Sequence, residues 1–101
     1  MRVSVILAHP GRDSFNHAIA RAVVSALGGN GHDICFHDLY QEGFDPVLTY
    51  DEIPREAPLS PLVEDHCREI SAAGGIIIIH PNWWGQPPGI LKGWIDRVIR
   101  P

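Results

Sequence analysis

Two short stretches carry residue types that could bind and position a ligand. In the first, His9, Pro10, Gly11, Arg12, Asp13, Ser14, Phe15 and Asn16 lead from an apolar run into a helical pattern. Unpaired amides at a helix start point at whatever sits there, and the helix dipole favours an anion by ~0.3 to 2 kcal/mol. The amides of Ser14, Phe15 and Asn16, with the Ser14 hydroxyl and Asn16 carboxamide as further donors, suit a phosphate or pyrophosphate. Asp13 opposes an anion, and Asp13 with Ser14 also reads as a helix cap alone. In the second stretch, Pro81, Asn82, Trp83, Trp84 and Gly85 follow four isoleucines. Two adjacent indoles in a connector are unfavourable to expose, so they call for a flat aromatic ligand, or for a role as core or dimer filler. Pro87, Pro88 and Gly89 would stiffen that turn and reduce the entropy lost on binding.

The elements that must position these residues follow from periodicity. Val3 to Ala8 is a branched apolar run, a central strand covered on both faces. Asp13 or Ser14 caps a helix with Phe15, Ala18, Ile19, Ala22, Val23, Ala26 and Leu27 at helical spacing, stopped by Gly28 and Gly29. Asp33 to His37 reads as a second strand nearer an edge. Residues 39 to 60, with Pro46, Pro54 and Pro58, form a long irregular excursion in which Tyr40 and Phe44 serve as anchors. Ser60 caps and Pro61 opens a second helix, with Leu62, Val63, Cys67, Ile70 and Ala73 as its stripe, ending at Gly74 and Gly75. Ile76 to Ile79 reads as a strand buried on both faces. A third helix starts near Pro88, where Gly89 and Gly93 can admit a close backbone and Lys92 and Arg97 read as solvated. Alternating strand and helix means parallel pairing with right-handed crossovers.

Composition narrows the function. A chain of 101 residues forms at most one domain, near the lower limit for a self-sufficient core. A net charge of −4 with one lysine argues against a nucleic-acid surface. The longest apolar run is too short to span a bilayer, and no separate signal segment precedes the first strand, so a cytoplasmic location and no membrane insertion are expected. Cys35 and Cys67 lack CxxC spacing and read as small apolar residues. The six histidines show no ligand spacing and read as surface or loop residues, so no metal site is expected. The turn after the first strand holds one glycine, Gly11, which excludes the dinucleotide GxGxxG fingerprint.

Asn82, Trp83, Trp84 and Gly85, followed by Pro88 to Val98, resemble the flavin-contacting loop and helix of the flavodoxin-like NAD(P)H:quinone oxidoreductases. Ala8, His9 and Pro10 with Ser14, Phe15 and Asn16 resemble that family's first flavin loop. Asp38, Leu39 and Tyr40 with Phe44, Asp45, Pro46 and Val47 resemble its stretch after the second strand. The resemblance implies a flavodoxin-like parallel α/β sheet with helices on both faces, of which residues 1–101 hold one domain with about three strands in the order 2-1-3, incomplete at its C-terminus.

It further implies FAD or FMN bound by His9, Ser14, Phe15, Asn16, Pro81, Asn82, Trp83, Trp84 and Gly85. NADPH or NADH would be the electron donor, a quinone-like small molecule the acceptor, and a homodimer the assembly. No protein nucleophile is implied, because the flavin carries the chemistry. A non-catalytic interaction or regulatory module of the same fold, such as an ancillary subunit, or an inactive fragment, is the alternative. A phosphate-binding response-regulator-like domain would need acidic strand ends, and the first strand ends in Ala8 and His9.

Overall fold

A computed structural model describes all residues, Met1–Pro101. Strand β1 is Arg2–Leu7, helix α1 Phe15–Gly29, β2 Asp33–Asp38, α2 Leu39–Glu42, α3 Pro61–Ala72, β3 Gly75–Ile79 and α4 Gly89–Trp94. The strands pair in parallel in the order β2-β1-β3, with Leu7 opposite both Asp38 and Ile79. The side chains of β1 alternate between two cores, as a pleated strand requires. Val3, Val5 and Leu7 pack with Ala20 of α1 and Ile79. Ile6 and Ala8 face the opposite way, onto Leu39, Phe44, Val63, Leu91, Trp94 and Val98.

The caps fall where side-chain oxygens can take first-turn amides. Ser14 precedes α1, and Ser60 precedes α3 with Pro61 at its first position. Gly28 and Gly29 lie inside α1 instead of stopping it; the chain reverses at Asn30 and Gly31, whose φ of 80° is one a glycine adopts without strain. Helix α4 runs on as a wider turn over Ile95–Ile99, in which the Arg100 amide reaches Ile95 O at 3.0 Å. The excursion over residues 39 to 60 is less irregular than expected, since α2 and a short 3-10 turn at Tyr50–Glu52 order it.

Three expectations need correction. The isoleucines of β3 are not buried on both faces: Ile79 is buried, but Ile76 and Ile78 are 45% and 42% exposed. Here β3 is an edge strand, and α3 and α4 cover the β1 column without reaching over its neighbour. Arg97 is buried, not solvated. Its Nε and Nη2 donate to Glu52 Oε2 and Oε1 at 3.0 and 3.1 Å, and its Nη1 donates to Asp45 O at 2.7 Å. Arg100 Nη2 adds bonds to Glu52 O and Pro54 O at 2.8 and 2.7 Å. Gly93 supplies the close approach, since a Cβ there would overlap Pro46, whereas Gly89 faces open space.

The third correction concerns histidine. His66 is 1% exposed. Its Nδ1 accepts from Trp94 Nε1 at 3.0 Å, and its Nε2 donates to Glu42 Oε1 at 3.3 Å. The His37 ring lies 3.9 Å from the His66 ring, between Glu42 Oε2 at 2.7 Å and Glu69 Oε2 at 2.5 Å. Burial opposes the His37 charge, but its bonds to Glu69 and Glu42 outweigh burial, and its pKa is raised. Burial and the neighbouring His37 lower that of His66. Four elements, β2, α2, α3 and α4, are tied by this one cluster.

Two stability tests follow. Arg97→Ala leaves a buried Glu52 carboxylate unpaired and should cost about 3 kcal/mol in urea unfolding. Arg97 holds the Glu52 carboxyl below its ordinary range, so the pair's contribution is full above pH 4.5 and is lost as pH falls through the folded value. The histidines act with opposite signs. The contribution of His37 is full below pH 6.5 and vanishes as pH rises through its raised value, while His66 penalises folding as pH falls below 6.5. Urea midpoints measured across pH should show His37→Gln removing the alkaline decline and retaining the acid one.

Candidate functional site

The carboxyl ends of β1 and β3 bring the two stretches together. Ala8 N–H still reaches Ile79 O at 2.9 Å, so the loops diverge only after that pairing. The His9 ring then stands 5.9 Å from Trp83 and 6.2 Å from His17, edge-on to both. Its Nδ1 accepts from the Gly11 amide at 2.9 Å, which fixes the ring and leaves Nε2 without a protein partner.

At the start of α1 the donors divide unequally. Ser14 N–H is spent on Gly11 O at 3.1 Å, while the first-turn amides of Phe15 and Asn16 have no protein acceptor. Two of the three expected amides are therefore free. The Ser14 hydroxyl is turned inward: its oxygen accepts from the His17 amide at 3.1 Å and lies 2.7 Å from His17 Nδ1. His17 Nε2 in turn lies 2.9 Å from Asp38 Oδ2, and Asp38 Oδ1 caps α2 by accepting from the Gln41 amide at 3.2 Å. Phe15 projects from the helix start and is 79% exposed; Asn16 is half-buried. A cleft of about 310 Å³ opens beside these groups, lined by His9, Pro10, Arg12, His17, Asp38, Tyr40 and Gln41.

The second loop is a two-residue turn. Trp83 and Gln86 exchange both backbone hydrogen bonds, at 2.9 and 3.0 Å, around Trp84 at φ 58° and Gly85 at φ 75°. Positive φ at both central residues defines a type I′ turn, which favours Asn and Gly. A tryptophan held there costs about 1–3 kcal/mol in strain, and its indole is entirely exposed. Pro81 is half-buried and Asn82 exposed, between the strand end and the turn. The two stretches thus meet at His9, whose ring lies against Trp83 on one side and against His17 of α1 on the other.

Sequence reasoning missed His17 and its link to Asp38. The three-residue step from Ser14 to His17 carried a signal, since it is the spacing at which a cap oxygen meets a first-turn side chain; Asp38 is close only through the sheet register. It also missed the His37–Glu42–His66 cluster, whose ligand atoms lie within 4.8 Å of one another. That cluster does not suit a metal. An indole N–H can only donate, so Trp94 occupies the His66 Nδ1 lone pair and Nε2 must keep its proton. Cys67 is no nucleophile, because burial raises its pKa and its thiol points at Val98 O, 3.6 Å away.

Comparison with known proteins agrees with this architecture. The family model described as "Flavodoxin-like fold" matches residues 1–101. The chain is 32% identical over 117 residues to rat NAD(P)H dehydrogenase [quinone] 1, covering 97% of this chain and 43% of that protein. It is 37% identical over 99 residues to an uncharacterized NAD(P)H oxidoreductase of Haemophilus influenzae, covering 94% and 48%. The structure superposes on an NAD(P)H:quinone oxidoreductase from Methanothermobacter marburgensis with a TM-score of 0.89 at 33% identity, covering 99% of this chain and 54% of that one. The chain spans about half the length of the relatives it matches. By its sequence over all 101 residues and by its β2-β1-β3 sheet, the chain belongs to the flavodoxin-like fold family.

Proposed function

We propose that this chain holds a flavin, FAD or FMN, as part of an oxidoreductase that passes two electrons from NADH or NADPH to a quinone-like acceptor. The observation that carries the reading is Trp84, fully exposed on a strained turn whose neighbour Trp83 meets His9, in the loop that leads to a helix start with two free amides. Strain and exposure are both unfavourable in the free chain, and a stacked aromatic ring compensates for them. The names of the relatives, NAD(P)H dehydrogenase and NAD(P)H:quinone oxidoreductase, supply the chemical class.

The residues fit such a group. The amides of Phe15 and Asn16 would receive its phosphate, with Ser14 holding the helix start. Pro81, Asn82, Trp83, Trp84 and Gly85 would lie along the ring, and His9 would fill the corner between the two loops. When bound, the flavin supplies the hydride acceptor and two-electron donor. The chain's own residues bind, orient and stack; none acts as a nucleophile. A homodimer working in the cytoplasm completes the proposal. No helix here is long and apolar enough to cross a membrane.

A second reading, a flavin-free interaction module, draws on the half-exposed Ile76 and Ile78 at the open edge of β3, which are suited to pairing with another chain. A flavin titration followed by fluorescence quenching, with size-exclusion chromatography on the same sample, separates the two. Saturable quenching supports the flavin reading; a folded protein that leaves flavin fluorescence unchanged supports the module.

Trp84→Asn gives a sharper test, because asparagine tolerates the left-handed region. Stability should rise by about 1 kcal/mol, while flavin affinity should fall at least tenfold, ~1.4 kcal/mol. Unchanged affinity would remove Trp84 from the site.

A further inference from the structure

We infer that His17 sets the direction of the Ser14 hydroxyl, so that a phosphate group binds at the start of α1 together with one proton taken up by His17. The inference rests on the cofactor reading above and adds to it a positioning residue and a linked proton. Asp38 is buried and, as a carboxylate, accepts only, so His17 Nε2, 2.9 Å away, carries a proton in either charge state. In the neutral ring Nδ1 is then bare. The Ser14 O–H must donate to it across 2.7 Å, while the serine oxygen accepts from the His17 amide. In that state the hydroxyl has no proton to offer a phosphate beside the free amides of Phe15 and Asn16.

Protonation of His17 reverses the bond. Nδ1–H donates to the second lone pair of Ser14 Oγ, and the serine proton is released to point outward. The hydroxyl becomes a third donor beside the two amides, and the imidazolium stays paired with Asp38. The proton comes from the solvent or buffer, which gives up one bond to hydrogen as Nδ1–H forms, and no other covalent bond changes. The other groups around His17 are His9, whose ring is 6.2 Å away, Arg12 and Tyr40, which line the same cleft, and Arg21, which lines the adjoining cavity on α1.

The test is calorimetry of FAD binding to the 101-residue chain in Pipes and in Tris, whose ionisation heats differ, so that the difference counts protons. The pyrophosphate diester of FAD does not titrate near neutrality. ADP-ribose, which carries the same diester without the isoalloxazine, is the second probe. Above the pH at which free His17 is half protonated, as read by ¹⁵N NMR of its ring, close to one proton should be taken up per ligand. Affinity should there fall tenfold per pH unit. In His17→Gln both the uptake and the slope should disappear while binding persists.

FAD binding without proton uptake overturns the inference and leaves the flavin reading intact. ADP-ribose binding with uptake, where FAD fails to bind, supports the inference and removes the flavin reading. Binding of neither overturns both. Ser14→Ala separates the hydroxyl from simple charge attraction: uptake should be lost, and uptake that survives in this variant overturns the inference. If that variant proves unfolded, the free-state ring decides, because ¹⁵N shifts of neutral His17 other than those of bare Nδ1 and protonated Nε2 are incompatible with the donor direction.

Discussion

Everything in this fold depends on β1 being a central parallel strand buried on both faces. Val5 and Leu7 are wholly inaccessible on one side, and Ile6 is nearly so on the other. Parallel neighbours cannot be joined by hairpins, so each connection must cross the sheet as a helix, and those helices bury the two faces. The same rule places the carboxyl ends of all three strands on one edge. The His9 loop and the tryptophan loop meet there because neither has another edge from which to emerge.

Against that rigid frame the two loops are built differently. The first is tightly satisfied: His9, Gly11, Ser14, His17 and Asp38 form an unbroken line of hydrogen bonds from the β1 turn to the end of β2. The second stores strain at Trp84 and leaves its indole uncovered. A fixed polar corner near an unfavourable aromatic display is an arrangement in which a stacked ligand would relieve a cost already present, as the proposed function requires.

The frame was legible in the sequence because it is written in local terms. Branched runs, helical stripes and the two serine caps need only neighbouring residues, and β1, α1, β2, α3 and β3 lie close to where periodicity puts them. The departures all involve distant partners. Arg97 reads as solvated until Glu52, 45 positions earlier, is brought beside it. His66 reads as a surface residue until Trp94 and His37 enclose it. Ile76 and Ile78 read as covered because a run of isoleucines does not say which strand will be the edge. For the site, the loops and the indoles were visible in the chain, but the inward turn of the Ser14 hydroxyl was not, since the carboxylate that fixes His17 arrives through strand register.

The clamp of Arg97 and Arg100 on residues 45 to 54 also has a kinetic side. That segment makes its strongest polar contacts with the last residues of the chain, across 45 to 52 positions. Closing so long a loop is entropically expensive, so contacts of this kind form after the local helices and the β1–β2 pairing. The excursion and the turn that follows α4 therefore order together, each supplying the other's buried polar partners.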